Sequence, residues 1–228
     1  MDNRPIGVFD SGLGGLTVLE KLKQKLKYEK YIYLGDTENF PYGEKSKEEI
    51  IRLSRINIEK MIEKNVKMIV IACGTATSQA LDVVKKEFNV PIIGIIEPTV
   101  NYVSTLNLDK IGVIATTGTI RSGCWEKSLK QKNPNLKVIN KACPLLASIA
   151  EEGKATSKES LDAVHNYMQI FKDNKIDTII LGCTHYQVYD KIIKDEFDYK
   201  VNLINTGDTV AVAVQEFLIK NDMKSKLG

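Results

Sequence analysis

Apolar runs of four or five residues alternate along the chain with longer stretches in which apolar positions recur every three or four residues. The runs cover residues 6–9, 31–34, 68–72, 92–96, 111–115, 178–181 and 201–204, with the length and branched-residue content of buried strands. Between them, Leu16, Leu19, Leu22 and Leu26 share one helical face, as do Ile50, Leu53, Ile58, Met61 and Ile62. Ser46 and Glu49 stand before the second set at the spacing of a capping box. Such alternation predicts an α/β protein whose sheets are mostly parallel.

A weak internal repeat refines this. Residues 5–12 resemble residues 110–117, an offset of 105, and residues 68–75 resemble 178–185, an offset of 110. Two matches at nearly one offset predict two pseudo-symmetric α/β domains with the active site in the cleft between them. The first is expected to take residues 1–97 and, through the last apolar run and the helix that follows, about 206–228; the second takes 98–205.

In open parallel sheets, ligands bind beyond the carboxyl ends of the strands. Those ends read Asp10-Ser11-Gly12, Gly35-Asp36, Cys73-Gly74-Thr75, Thr116-Thr117-Gly118-Thr119 and Cys183-Thr184-His185. Thiols, hydroxyls and carboxylates are concentrated there. Cys73 and Cys183 occupy equivalent places in the two halves, and a thiol that opens a helix lies in a field favouring thiolate. One such cysteine suits a nucleophile. Two facing each other suit a nearly mirror-symmetric reaction: one thiolate takes the α-proton of an amino acid and the opposite thiol returns a proton to the other face. Thr75, Thr184 and free backbone N–H groups would receive the α-carboxylate, while Asp10 and His185 stand beside one cysteine each.

Composition narrows the field. The 228 residues carry 32 basic and 29 acidic side chains, and the balance of +3 has no concentrated basic run, so nucleic-acid and membrane-surface partners are not expected. No segment reaches the roughly 18 apolar residues of a membrane span, and the first apolar run is too short for a signal peptide. A cytoplasmic protein with reduced thiols is expected, Cys124 and Cys143 being structural. Gly12-x-Gly14-Gly15 does not complete a dinucleotide loop, because Thr17 stands where the third glycine belongs. Cys183-x-His185 has no second ligand pair, so no metal site is expected.

Several blocks then resemble the glutamate racemase family in order: residues 7–18, Tyr33-Leu34-Gly35-Asp36-Thr37, Pro41-Tyr42-Gly43, Ile71-Ala72-Cys73-Gly74-Thr75-Ala76, Thr119-Ile120-Arg121-Ser122-Gly123, Ala142-Cys143-Pro144-Leu145, Glu151-Glu152-Gly153 and Leu181-Gly182-Cys183-Thr184-His185-Tyr186. The resemblance spans about residues 5–215. It implies a cofactor-independent racemase of glutamate, usually a homodimer, whose D-glutamate enters peptidoglycan, with neither pyridoxal phosphate nor metal. By the same resemblance, Cys73 handles the proton on D-glutamate and Cys183 that on L-glutamate. Asp10 assists the first cysteine and meets the substrate ammonium with Ser11 beside it, and Glu152 and His185 assist the second, the choice between Glu152 and its neighbour Glu151 staying open. Pro41, Tyr42 and Gly43 hold the side-chain carboxylate; Gly74, Thr75, Thr117, Thr119 and Thr184 fall in substrate-contacting segments; Asp36 matches an acidic residue of unsettled role.

Two positions depart from the pattern. Gly74 stands where the first cysteine motif usually has asparagine, removing a polar contact worth about 0.5–1.5 kcal/mol, and Gln187 stands where the second motif usually has proline or another residue from a narrow set. Gly74 leaves two other readings open: a racemase of aspartate or another amino acid, and a non-catalytic amino-acid-binding homologue.

Overall fold

The computed structural model describes residues 1–226; residues 227–228, the end of the segment expected to return to the first domain, lie outside them. Two four-stranded sheets form, and every strand pair is parallel. The first contains β1 (Ile6–Asp10), β2 (Tyr31–Gly35), β3 (Met68–Ile71) and β4 (Ile92–Gly94), in the order β2-β1-β3-β4. The second contains β5 (Lys110–Ala115), β6 (Lys137–Ala142), β7 (Thr178–Leu181) and β8 (Asn202–Asn205), in the order β6-β5-β7-β8. The orders are identical once the strands are counted within each sheet, so the internal repeat corresponds to two copies of one topology.

Burial explains why these segments are strands. β1, β3 and β7 are buried along their whole length, as continuous apolar runs covered on both faces require. Side chains alternate between the faces. Ile6, Val8, Met68 and Val70 join Ile111, Val113, Ile180 and Ile204 in one apolar cluster shared by both sheets. On the far faces, Phe9, Ile69 and Ile71 pack with Ile50, Leu53 and Met61 of α2 (Lys47–Glu63), and with Ala76 and Ala80 of α3 (Gly74–Glu87). Ile114, Ile179 and Leu181 pack with Leu146 of α7 (Pro144–Glu151) and Val164 of α8 (Lys158–Asp173). The expected capping box forms at its first half: the Ser46 hydroxyl accepts the Glu49 N–H, 3.2 Å away.

The central layer is closed by α1 (Leu16–Lys25), α4 (Ile96–Val103) and α10 (Thr206–Lys220). The last of these follows the second sheet yet packs on α1 and α4, its Val210, Val214 and Leu218 buried with Val18, Leu22 and Val100. Lys67, fully buried, ties the chain ends to the first sheet: its Nζ donates to Glu29 at 2.5 Å and to the carbonyls of Asp2 and Met223.

β6 was not among the expected strands. It is an edge strand reading KVINKA, half-buried at most, and its lysines and asparagine break the apolar run that marks its neighbours.

Candidate active site

Strand order fixes where the chemistry collects. From β1 the chain crosses to β2 on one side and β3 on the other, so the first sheet opens a crevice between the carboxyl ends of β1 and β3; the second sheet does so between β5 and β7. Asp10 and Cys73 stand at the first crevice, Thr116 and Cys183 at the second. The two crevices meet in one cavity of about 30 Å³ to which Ser11, Cys73, Thr75, Thr116, Cys183 and His185 contribute.

Cys73 is the N-cap of α3, and its sulfur accepts the Ala76 N–H at 3.4 Å. Its thiol in turn donates to the Ser11 hydroxyl at 3.4 Å. Burial, followed by the charge of Asp10, pushes this thiol up to about 11, against the pull of Ser11 and the Ala76 N–H. Cys183 precedes a 3-10 stretch, Thr184–Tyr189, and has His185 Nδ1 3.8 Å from its sulfur. Burial also pushes this thiol well above the ordinary range. His185 Nε2 lies 2.5 Å from the Glu151 carboxylate, which also receives the Leu13 N–H. With the Nε2 proton directed at Glu151, Nδ1 is the acceptor that faces the Cys183 thiol. Phe40 packs beside the imidazole, ring centroids 5.3 Å apart.

Three hydroxyls from the two halves close another wall. Thr75 and Thr116 are 2.9 Å apart, Thr116 and Thr119 2.8 Å, and Thr119 donates to Thr75 at 3.3 Å. Beside them lies the segment Phe40–Pro41–Tyr42–Gly43, which enters through a cis Phe40–Pro41 peptide.

Of the residues read from the sequence, Ser11, Pro41, Tyr42, Gly43, Cys73, Thr75, Thr117, Cys183, Thr184 and His185 line the cavity. Asp10, Gly74 and Thr119 stand one layer behind. The fully buried Asp10 carboxylate accepts the Gly12 N–H at 3.0 Å and the Thr184 hydroxyl at 3.2 Å, and burial raises its pKa against the pull of these hydrogen bonds. At Gly74 a Cβ would stand 2.2 Å from the Gly182 carbonyl oxygen, so the two cysteine loops touch through bare backbone. Gln187 does not line the cavity, and its side-chain nitrogen is buried with no hydrogen-bond partner among the described residues.

One expected placement is corrected. Glu152 faces outward, its side chain 59% exposed and 2.7 Å from Lys154, while its neighbour Glu151 reaches His185. The reason is geometric: α7 ends at Glu151, and successive helical residues point about a quarter turn apart. Phe40, Glu44, Thr116, Pro144, Ala147 and Ser148 also line the cavity without having been singled out. Thr116 was legible as part of a strand-end segment and Pro144 as part of a family block; Phe40, Glu44, Ala147 and Ser148 stand outside the strand ends and motifs.

The Asp/Glu/Hydantoin racemase family model matches residues 6–216. A glutamate racemase of Bacillus cereus is 40% identical over 222 residues, covering 97% of this chain and 82% of that protein. Among solved structures, a glutamate racemase isoform from Bacillus anthracis superposes with a TM-score of 0.94 at 33% identity, over 99% of this chain and 85% of that one. The glutamate racemase of Francisella tularensis, solved in complex with D-glutamate, superposes with a TM-score of 0.93 at 36% identity, over 100% and 86%. Sequence, topology and the paired cysteine ends therefore agree: the chain belongs to the Asp/Glu/hydantoin racemase family.

Proposed function

We propose that this protein is a glutamate racemase that interconverts L- and D-glutamate by two-base proton transfer at Cα. The observation that carries the reading is the pair of thiols, one from each half, on the wall of a single cavity. The near-identical architecture of glutamate racemases supports it.

The reaction begins from two neutral thiols, because burial holds both above neutrality. Arrival of the substrate ammonium places a positive charge beside them, which favours the thiolate. On one hand of substrate, Cys73 passes its thiol proton to the buried Asp10 carboxylate and, as thiolate, takes the α-proton. The C–H electron pair passes to Cα and into the substrate carboxylate, and the Cys183 thiol returns a proton to the opposite face. The product leaves Cys73 protonated and Cys183 as thiolate. From the other hand the roles reverse, and His185 takes the Cys183 proton while Glu151 steadies the imidazolium.

The α-proton is far less acidic than a thiol, so the developing charge needs aimed donors in a dry site. The N–H groups opening α3 and the Thr75 and Thr116 hydroxyls supply them, with Thr119 holding the two hydroxyls from behind. Tyr42 and Gly43 receive the distal carboxylate. A cavity of about 30 Å³ is far below the roughly 300–1,000 Å³ of a small-molecule site, so the two halves part to admit an amino acid and close to exclude solvent.

The same reading places the enzyme in the cytoplasm as a homodimer supplying D-glutamate for peptidoglycan. Among the described residues no helix is long and apolar enough to cross a membrane. The test is L-glutamate in D2O with the purified protein and no added cofactor: the α-proton signal and the optical rotation should both disappear. A folded protein that exchanges no α-proton of glutamate would refute the proposal.

A further inference from the structure

Asp36 ends the β2 edge of the site but does not line the cavity. Its N–H donates to the Asp10 carbonyl at 2.9 Å, continuing the pairing of β1 with β2 to the point where the cavity begins. Its carboxylate, only 8% exposed in the folded chain, receives three donors from three different places. Asn39, in the 3-10 turn Thr37–Asn39, donates at 2.8 Å; the Tyr42 hydroxyl donates at 2.5 Å; and Asn57, on the buried face of α2, donates at 3.1 Å. Asn57 also donates to the Tyr42 oxygen at 3.1 Å and to the Leu53 carbonyl at 2.9 Å, fastening the set to the helix.

These contacts determine the shape of the cavity wall. Tyr42 is 1% exposed, its ring edge-on to Phe9 with centroids 6.2 Å apart and its hydroxyl spent on Asp36. What the segment offers a ligand is then the main chain at Tyr42 and Gly43. That main chain is also pressed against the second half: a Cβ on Gly43 would meet the Thr116 side chain at 2.8 Å, and one on Gly118 would meet the Gly43 carbonyl oxygen at 2.8 Å. A shift of the segment would therefore displace both the carboxylate-binding wall and the contact between the halves.

An ionised carboxylate only accepts, which suits three converging donors. Burial raises the pKa of Asp36, but the hydrogen bonds from Tyr42, Asn39 and Asn57 outweigh it and leave the group below its ordinary range. A proton-carrying role has no geometry behind it: the side-chain partners of Asp36 are Asn39, Tyr42 and Asn57, and among the described residues no hydrogen bond joins it to either thiol.

We propose that Asp36 is a positioning residue, which through Tyr42, Asn39 and Asn57 holds the Pro41–Gly43 main chain in the form that binds the substrate's distal carboxylate. The inference rests on the glutamate racemase reading. The experiment compares steady-state racemisation of L-glutamate by wild type, Asp36→Asn, Tyr42→Phe and the double variant, with thermal melts of each. Asp36→Asn puts an amide donor where three donors converge, and KM should rise about tenfold while kcat falls less than threefold. Tyr42→Phe should move KM in the same direction by a few-fold. The double variant should be no worse than Asp36→Asn alone, since both changes break one contact.

Unchanged KM in both single variants overturns the inference, and so does a fall in kcat at constant KM. Should Asp36→Asn fail to fold, Tyr42→Phe decides, because it deletes one hydroxyl and leaves the packing of the ring. A wild-type protein inert toward glutamate would refute the racemase reading instead, which keeps the two failures apart.

Discussion

The two cysteine ends occupy equivalent places in the two sheets, yet the chain that follows each is different. After Cys73 comes a 14-residue α-helix whose N-terminal N–H groups point at the sulfur. After Cys183 comes a six-residue 3-10 stretch, and the sulfur meets a single backbone N–H, that of His185, together with the same residue's imidazole backed by a carboxylate. Oriented N–H groups stabilise a thiolate once formed, whereas an imidazole removes the thiol's proton. Duplicated topology thus places the two proton carriers symmetrically, while the local sequence gives them different means of ionising. Pseudo-symmetry holds for position and fails for electrostatics.

The comparison breaks most severely if one carrier is removed. Cys73→Ser and Cys183→Ser should each lose roughly 10³-fold or more in racemisation, because a hydroxyl at the same place is too weak an acid and base to serve. The melts should stay near wild type, since serine nearly fills the space. Loss confined to one variant would mean that the other sulfur is only part of the core.

Next in size are the helpers of Cys183. Glu151→Gln and His185→Asn should each lower kcat/KM by about 10²-fold. The loss must be equal in both directions, because enantiomers have an equilibrium constant of one that no mutation alters. The asymmetry shows instead in the primary isotope effect at Cα. It should grow more with α-deuterated L-glutamate, where Cys183 is the base, than with the D enantiomer. Equal growth for both would erase the distinction between the two ends.

A smaller effect concerns stability. Cys73 titrates at about 11 in the folded protein against 9.0 for the free thiol, mainly because it is buried. Between these values the folded state binds more protons than the unfolded one, so stability falls as pH rises. The contribution is complete below pH 9 and lost on approaching pH 11. Across that window wild type should lose roughly 5 °C more in melting temperature than Cys73→Ala, which has no thiol to ionise. Parallel curves would show that the thiol is not held neutral by burial.

How far the sequence carried these conclusions depended on the kind of signal. Seven of the eight strands were legible because each carries an apolar run, whether buried along its whole length as in β1, β3 and β7 or half-buried as in the edge strand β2; β6 was not, because Lys137, Asn140 and Lys141 interrupt its run. The cysteine ends were legible because strand ends in a repeated topology can be matched by offset. Gly74 was legible as a departure from the family's pattern, but only the structure gives its physical consequence, the Gly182 carbonyl occupying the place of a side chain. Phe40 and Ser148 reach the cavity through the path of a loop and the end of a helix, which no local pattern encodes.

Glu151 and Glu152 pose the same problem at its finest, and the smallest prediction comes from them. Both are glutamates at the end of one helix, so composition, spacing and motif treat them alike. The angle between successive helical residues separates them, turning one carboxylate to His185 and the other to Lys154 in solvent. An exposed ion pair such as Glu152 with Lys154 contributes little, since water screens the charges and holding two long side chains costs entropy. Glu152→Gln should therefore leave kcat/KM within twofold and the melt within about a degree or two, beside the hundredfold loss in Glu151→Gln. Racemisation assays of the two variants under one set of conditions make the comparison. A large loss in Glu152→Gln with Glu151→Gln near wild type would reverse the assignment and require α7 to end a quarter turn from where it does, moving the imidazole's partner and with it the account of how Cys183 gives up its proton.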